Sequence, residues 1–368
     1  MDIAGYRLND PDSIDTPAFL VYEEMVHHNI REIIRVCGSA ERVVTHVKTH
    51  KSVEVLRLQI AAGLTSFKCA TIREAELLAE NGAQEIIISY PLVHPVKLRS
   101  LVELIGLHPE IAFKAIASTP EHLASLSGVA SSAETNLGVY MDLDTGMHRT
   151  GVQPGQEAAD FFATIASTPG LSALGVHVFD GHTLYKPSKS ERMALVDKSI
   201  ENIRAVWEDA SRRGIDAPDN VAGGSWSFHL YLKENRLRVS PGTWVYWDSR
   251  NATMPELNFQ VAAVVLGQVI DEDHHRGTVT LDTGSKAVSP DQPTEHRFKI
   301  IGHEKAVVTA QSEEHGVVQL NGSNLHVGEM VLVAPGHACT TTVKFPHALV
   351  VDRNGDVIGK YGHQARDH

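Results

Sequence analysis

A lysine flanked by two histidines is the first feature of this sequence that suggests chemistry. Residues 45–51 read THVKTHK. If an extended strand continues through this segment, the side chains of His46, Lys48 and His50 project to the same side. Enclosure beside other cationic groups favours the neutral form of a lysine, which is the form that condenses with a carbonyl group to a Schiff base. A solvent-exposed basic turn is the alternative interpretation of the same spacing.

A histidine and a cysteine near the C-terminus form a second candidate. His337 and Cys339 stand two positions apart, and in a strand-like or loop segment they would point to one face. Imidazole with thiolate suits Zn²⁺, and two protein ligands leave coordination positions for water and substrate. The alternative is a buried cysteine beside a structural histidine.

Three segments after strand-like runs add further polar groups. Arg149 follows the run at 137–144, where a surface position is the simpler interpretation and a functional cation the other. The sequence GGS at 223–225 could bring backbone N–H groups close to a phosphate, although it is also an ordinary turn sequence. Asp180 and His182 are candidate acid–base groups in the third segment.

The elements that must position these residues alternate between two patterns from about residue 43 to 240. Amphipathic helical stretches separate eight apolar, β-branched runs, which predicts an α/β fold with a (β/α)₈ TIM-type barrel. A doubly wound open sheet is the competing arrangement. In a barrel, groups at the C-terminal ends of the strands face the active site. The predicted strands are 43–48, 66–70, 85–90, 111–117, 137–144, 171–179, 220–224 and 237–242.

The pattern changes after residue 250, where short strands with turn residues between them predict an all-β domain without a convincing helix. Residues 16–22, TPAFLVY, are strand-like and precede a helical stretch. We therefore predict an N-terminal segment (1–22) that pairs with the β domain, a barrel (23–245) and a C-terminal β domain (246–368).

Composition argues against several classes of function. The formal net charge is −12, which speaks against a general nucleic-acid binder because phosphate contacts need a basic face. No apolar run approaches the roughly 20 residues of a membrane span, and the N-terminus lacks the pattern of a signal peptide. Three widely spaced cysteines make no disulfide framework and predict a reducing, cytoplasmic compartment.

A series of longer motifs runs through nearly the whole chain. They are DTPAFLVY (15–22), HVKTHK (46–51), CATIREAELLAENGAQEIIISYP (69–91), DTGMHRTGV (144–152), PGTWVYWD (241–248), SEEHG (312–316) and PGHACTTTV (335–343). Together they resemble the D-threonine aldolase and D-serine dehydratase family, the metal-dependent branch of the alanine racemase-like enzymes that use pyridoxal 5'-phosphate (PLP). The resemblance implies an alanine racemase-like fold, Lys48 as the Schiff-base lysine, and no catalytic duty for Lys51.

The same resemblance assigns roles to other candidates. It places Arg149 beside the phenolic oxygen of the cofactor, where a guanidinium stabilises the phenolate. It makes Gly223, Gly224 and Ser225 the phosphate ligands, with Tyr246 as a plausible further contact.

The metal ligands and the pyridine partner also follow from the resemblance. His337 and Cys339 resemble the zinc ligands of D-serine dehydratases, whereas the aldolase branch tends to carry a carboxylate at the position of Cys339, which favours Mn²⁺ or Mg²⁺. At 175–185 the chain departs from both branches, because the dehydratase pattern has tyrosine next to the pyridine nitrogen where this chain has His177. His177 is therefore a candidate cofactor contact, and the partner of that nitrogen stays open.

These implications predict a PLP-dependent lyase for D-3-hydroxy amino acids such as D-serine, D-threonine or 3-hydroxyaspartate. The His337–Cys339 pair favours dehydration to a 2-oxo acid and ammonia. Retro-aldol cleavage to glycine and an aldehyde is the alternative, and an amino-acid racemase or a non-catalytic PLP-binding protein is less favoured. The resemblance also implies a homodimer, and we expect neither a nucleic-acid nor a membrane partner.

Overall fold

The chain folds into two compact units, and the computed structural model describes residues 1–186 and 188–367. The barrel unit consists of Ile33–Lys48 and Leu56–Gly242, with Asp367. The β unit consists of Met1–Glu32, Thr49–Val55 and Thr243–Arg366. The three-part division drawn from the sequence stays a prediction.

Eight parallel strands form a curled sheet in the barrel unit, each beside the next in chain order. The first strand also lies beside the last one. Val43 forms a parallel bridge with Val239, and the N–H of Val44 donates to the carbonyl of Val239 at 2.8 Å. The predicted barrel, followed by a mostly-β part, is confirmed. The strands are Thr45–His46, Ser66–Cys69, Glu85–Ile88, Ala112–Ala117, Leu137–Asp142, Leu171–Val178, Val221–Ala222 and Arg238–Val239.

Helices separate these strands, and short polar side chains mark where several of them begin. The Thr71 side chain accepts a hydrogen bond from the N–H of Glu74, and Ser188 forms a capping box with Glu191. Such caps bind N–H groups that have no partner inside the helix. The helices of the first 231 residues are Glu23–Cys37, Val53–Ala61, Ile72–Ala79, Pro95–Leu107, Pro120–Ser132, Gln156–Ser167, Lys189–Arg212 and Phe228–Tyr231.

Apolar side chains fill the interior of the barrel. The successive residues Ile86, Ile87 and Ile88 are all buried, because a parallel strand in a barrel is covered on both faces. One core cluster joins side chains from five strand regions: Val44, Ile87, Ile116, Tyr140 and Val221. None of the helices in the described parts of the chain has the length and hydropathy that a membrane span requires.

An ion-pair network lies where the barrel strands begin. Asp219 accepts hydrogen bonds from Arg238 at 2.8 and 2.6 Å and from Lys114 at 2.9 Å. The hydroxyl of Tyr140 donates to the same carboxylate, and Glu85 pairs with both cations. Burial raises the pKa of Asp219, but Arg238 and Lys114 outweigh burial and hold that pKa below its ordinary value. The network therefore stabilises the barrel at neutral pH.

Removing the central carboxylate is expected to destabilise the barrel unit strongly. In Asp219→Ala, Arg238 and Lys114 keep only Glu85 of the two carboxylates that they share in a largely buried site. Loss of the partner in a buried pair costs about 3–5 kcal/mol, which is the upper bound here. The stabilisation by the wild-type carboxylate should be lost as the pH falls through its lowered pKa. Urea unfolding followed by circular dichroism measures both effects.

A surface aspartate supplies the control for this experiment. Asp160 pairs with Arg213 but is exposed, so Asp160→Ala should leave the urea midpoint nearly unchanged. Equal urea midpoints for the two variants would show that Asp219 contributes no more to the free energy of unfolding than the exposed Asp160 does.

Mostly antiparallel strands build the β unit, and an N-terminal strand lies inside its main sheet. Ala18–Tyr22 pairs antiparallel with Ala263–Asp273 and parallel with His347–Val351. Leu20 and Leu266, from two of these strands, lie in the same buried core. The other strands are Asp2–Ile3, Tyr6–Arg7, Thr278–Leu281, Phe298–Ile300, Val307–Gln311, Gly316–Gln319, Met330–Pro335 and Val357–Gly362.

The prediction that the C-terminal part has no helix was wrong. Ala338–Thr342 is a short α-helix, and its N-cap residue, His337, makes no side-chain cap. The N–H of Ala338 instead donates to Oδ2 of Asp248, 90 positions earlier, at 3.2 Å. Because this support comes from a distant part of the chain, no local sequence pattern announces the helix.

Candidate active site and metal centre

A cavity of about 220 Å³ in the barrel unit collects cationic side chains near the ends of the strands. The guanidinium carbon of Arg149 lies 4.5 Å from the ring centroid of Phe179, and Nζ of Lys48 lies 5.6 Å from the same centroid. None of the described residues that line the cavity is acidic, so the cavity suits an anionic ligand. The lining consists of His46, Lys48, Lys68, Ala70, Ser89, Tyr90, Pro91, Arg149, Thr150, His177 and Phe179.

The backbone that carries Lys48 differs from the expected strand. The first barrel strand ends at His46, and Val47–Thr49 form a 3₁₀ turn, so the predicted strand end at residue 48 was wrong. The condition under which His46, Lys48 and His50 would share one side of a strand is not met. His46 and Lys48 nevertheless both line the cavity. His50 belongs to the β unit, where it is fully buried with its ring centroid 6.4 Å from that of Tyr246.

A second lysine in the cavity was not singled out from the sequence. Nζ of Lys68 donates to Oγ of Ser240 at 2.7 Å and lies 3.3 Å from Nε2 of His177. Burial and then the charge of Lys48 lower the pKa of Lys68 to about 7. The available signal was a charged residue inside the apolar run SFKCA, whose neighbours are buried.

His177 lies between Lys68 and an aspartate that the sequence also did not reveal. Nδ1 of His177 is 2.7 Å from Oδ1 of Asp142, whose other oxygen accepts from Oγ1 of Thr150 at 2.7 Å. Burial raises the pKa of Asp142, but the hydrogen bonds from His177 and Thr150 lower it below its ordinary value. Burial and the charge of Lys68 lower the pKa of His177.

Asp180, expected as an acid–base group, is placed elsewhere. It is buried, does not line the cavity, and accepts hydrogen bonds from Oγ of Ser227 at 2.7 Å and from the hydroxyl of Tyr231 at 3.1 Å. The N–H of Gly224 donates to it as well, at 3.1 Å. Burial raises its pKa despite these donors. These contacts make Asp180 a support for the segment 223–231, and its acid–base role stays a prediction.

The predicted phosphate ligands lie at the start of the segment 223–231, outside the lining of the cavity. The N–H of Gly223 donates to the carbonyl of Val178 at 3.1 Å, so both glycine amides already have protein acceptors. Gly223 has φ +84°, and a Cβ there would come within 3.0 Å of the backbone of Phe228, so this position requires glycine. Ser225 is half-buried beside Gly224. Their role as phosphate ligands stays a prediction.

Two other predicted residues carry polar atoms without a partner in the described chain. Nδ1 of His182, in the 3₁₀ helix Gly181–Tyr185, is buried and makes no hydrogen bond to a described residue. The hydroxyl of Tyr246, in the β unit, is likewise buried and unbonded there, and burial raises its pKa. Unbonded buried polar atoms are uncommon in folded proteins, so each marks a position where a ligand or water is expected.

The candidate metal centre lies in the β unit. His337 begins the helix that contains Cys339, so the pair does not lie on a strand as one interpretation had it. Nδ1 of His337 is 2.5 Å from Oδ2 of Asp291, and Sγ of Cys339 is 3.1 Å from Oγ1 of Thr49. Burial lowers the pKa of His337, but hydrogen bonds to Asp291 and Cys339 raise it well above its ordinary value. The imidazole and the thiol therefore lie in contact.

The carboxylate of Asp291 suits the histidine for metal binding. When Nδ1 donates to a carboxylate, the lone pair that remains for a metal is on Nε2, an arrangement that is common around metal-bound histidines. Oγ of Ser289 and Oγ1 of Thr340 donate to Asp291 at 2.8 and 3.3 Å and hold it in place. The described residues contain no group of three or more metal-ligating side chains. The metal-binding role of His337 and Cys339 stays a prediction.

Comparison with known protein families decides the classification of the chain. Residues 22–250 match the family described as alanine racemase, N-terminal domain. The chain belongs to this family. Residues 262–351 match a second family, described as a putative serine dehydratase domain.

Several known proteins resemble this chain over almost its full length. A 3-hydroxy-D-aspartate aldolase of Paracoccus denitrificans (strain Pd 1222) is 24% identical over 379 residues, which cover 97% of this chain and 95% of the relative. The D-threonine aldolase of Filomicrobium marinum has a crystal structure with a TM-score of 0.88 at 22% identity, covering 98% of both chains. A variant of D-threo-3-hydroxyaspartate dehydratase in a metal-free form has a TM-score of 0.82 at 21% identity, covering 96% of this chain and 98% of that one. These likenesses confirm the alanine racemase-like fold.

Proposed function

We propose that this protein is a PLP- and divalent-metal-dependent lyase that converts D-3-hydroxy amino acids to a 2-oxo acid and ammonia. The observation that carries the proposal is the position of Lys48, whose half-buried amine lies with the exposed side chain of Arg149 at a cavity of an alanine racemase-family barrel, and none of the described lining residues is acidic. Two of the relatives described above are named as aldolases and one as a dehydratase of 3-hydroxy amino acids.

The residues of the cavity fit PLP. Lys48 would hold its aldehyde carbon as a Schiff base, and Arg149 would bind an anionic oxygen by charge-assisted hydrogen bonds. When bound, PLP delocalises the negative charge that develops at Cα of an amino acid. Lys48, once free, would take the α-proton on Nζ. The ring of Phe179 lies beside the amine and the guanidinium on one side, and the Arg149 side chain is otherwise exposed.

The His337–Cys339 pair fits a divalent cation, and the thiolate favours Zn²⁺ over Mn²⁺ or Mg²⁺. A metal there would act as a Lewis acid toward the substrate hydroxyl. Asp291 orients the imidazole, and Thr49 contacts the sulfur of Cys339. The chain passes from the barrel unit to the β unit between Lys48 and Thr49.

Retro-aldol cleavage to glycine and an aldehyde is the second candidate, because two of the relatives are named as aldolases. That reaction needs a base for the hydroxyl proton. The unbonded Nδ1 of His182 makes this side chain the better candidate for the base, since the oxygens of Asp180 already accept three hydrogen bonds. The thiol at position 339 is the reason to place dehydration first.

Product analysis separates these reactions. Purified protein with PLP and Zn²⁺ is incubated with D-serine, D-threonine and D-threo-3-hydroxyaspartate, and ammonia, oxo acid, glycine and aldehyde are measured. We expect ammonia and oxo acid in equal amounts. Glycine with an aldehyde would establish the aldolase instead, and conversion between enantiomers that survives exhaustive chelation would establish a racemase. A bound chromophore without turnover of any substrate would indicate a non-catalytic PLP-binding protein.

Two further expectations concern the state of the protein. We propose a reducing, cytoplasmic location because all three cysteines, Cys37, Cys69 and Cys339, are free. We propose a homodimer on the resemblance alone, which light scattering of the purified protein tests.

A further inference from the structure

A chain of hydrogen bonds crosses the barrel from an aspartate to a lysine, and none of its members other than His177 was assigned a role from the sequence. It runs from Asp142 through His177 to Lys68 and ends at Ser240. All four residues are buried, with exposed fractions between 2 and 4%. His177 and Lys68 also line the cavity, so their protonation determines what a ligand meets there.

At one end of this series of hydrogen bonds, Asp142 determines which nitrogen of His177 carries a proton. An ionised carboxylate only accepts hydrogen bonds, and Asp142 receives one from Thr150 and one from Nδ1 of His177. Nδ1 is therefore the protonated nitrogen. In a neutral imidazole the other nitrogen, Nε2, must then be an acceptor.

At the other end of this series of hydrogen bonds, Ser240 accepts and Lys68 donates. The hydroxyl of Ser240 donates to the carbonyl of Gly223 at 3.3 Å, so its oxygen accepts the hydrogen bond from Lys68. A lysine ammonium has three N–H groups and no acceptor. Ser240 uses one of them, Nε2 of His177 uses the second, and the third remains for a ligand in the cavity.

We propose that Lys68 is a positioning residue that holds His177 as the neutral, Nδ1-protonated tautomer, and that Lys68 rather than His177 donates a hydrogen bond to the ligand of the cavity. The ligand group that receives it is an anionic oxygen or an unprotonated ring nitrogen. The charged groups that act on Lys68 are Lys48, Asp142, Arg149 and Asp180. The proposal rests on the proposed function only for the identity of that ligand, because the tautomer of His177 belongs to the protein itself.

The experiment is ¹⁵N NMR of the full-length protein labelled at histidine, recorded as purified and again after addition of PLP. The signals of His177 are identified by their loss in His177→Gln. We expect a protonated Nδ1 and an unprotonated, hydrogen-bonded Nε2 at neutral pH. In Lys68→Met the donor to Nε2 and a nearby positive charge are both removed, so Nε2 should lose its hydrogen bond and His177 should titrate at a higher pH than in the wild type.

Three further variants test whether a change in the His177 signals comes from unfolding or from the loss of any lysine. Lys68→Arg keeps a cationic donor and should preserve the tautomer. Ser240→Ala removes only the partner that holds the amine and should change the His177 signals less than Lys68→Met does. Lys198→Met replaces an exposed lysine and should leave them unchanged.

Failure of the proposal for Lys68 can be distinguished from failure of the proposed function. A doubly protonated His177 in the wild type at neutral pH, or His177 signals that are the same in the wild type and Lys68→Met, overturns the proposal. Failure of the protein to bind PLP would refute the proposed function, yet the tautomer measured without PLP would still support or overturn the role of Lys68.

Discussion

Lys48→Ala is expected to remove the visible absorbance of the PLP complex and to lower turnover on the order of 10³-fold or more. The reason is that one amine has two duties in the proposed function: it holds the coenzyme, and after substrate binding it takes the α-proton. No neighbouring group replaces both, since Lys68 is engaged by Ser240 and His177. Absorbance spectra and initial rates with D-serine or 3-hydroxyaspartate measure the two losses separately.

An exposed lysine supplies the matched control for that variant. Lys198→Ala changes the same residue type in a side chain that is 68% exposed, and both the spectrum and the rate should match the wild type. A Lys48→Ala protein that retains the chromophore and the rate would remove the basis of the proposed function.

Loss of either candidate metal ligand is expected to have the second-largest effect. His337→Ala and Cys339→Ser should each reduce Zn²⁺ affinity by more than about 100-fold, because each removes half of the protein ligands. Asp291→Asn leaves both ligands but weakens the hydrogen bond that orients the imidazole, and such changes typically reduce affinity by about 10–100-fold. Zinc titration with a competing chelator gives the Zn²⁺ affinity of each of the three variants.

A buried cysteine outside the centre is the control for the metal experiment. Cys37 lies in the helix Glu23–Cys37 and is free, so Cys37→Ser should bind Zn²⁺ like the wild type. The assignment fails if His337→Ala binds the metal with unchanged affinity. Full lyase activity after exhaustive chelation would separate the reaction from the metal altogether.

The fold was largely predictable because each barrel strand lies in an apolar run of the sequence. Runs such as EIIISY are apolar on both faces, as strands of a covered parallel sheet must be. The observed strands fall inside the predicted ranges, with shorter ends, as in Glu85–Ile88 and Leu137–Asp142. The eight runs in order, with helical stretches between them, leave few topologies other than a barrel.

The partners of the site residues were much less predictable, because they are distant in sequence. Asp291 contacts His337 across 46 positions, and Lys68 contacts His177 across 109. No periodicity relates residues at such separations. Lys68 could have been noticed as a charge within a buried strand, whereas nothing local marks Asp291. The error at Lys48 has the same origin, since a 3₁₀ turn after two strand residues gives no hydrophobic signal of its own.

The most direct test of the central claim is to locate the coenzyme on the chain. PLP-treated protein is reduced with borohydride, digested, and analysed by mass spectrometry for the phosphopyridoxyl group. The account predicts one major modified site, Lys48. Modification chiefly at Lys68 or another lysine, or at none, would contradict it.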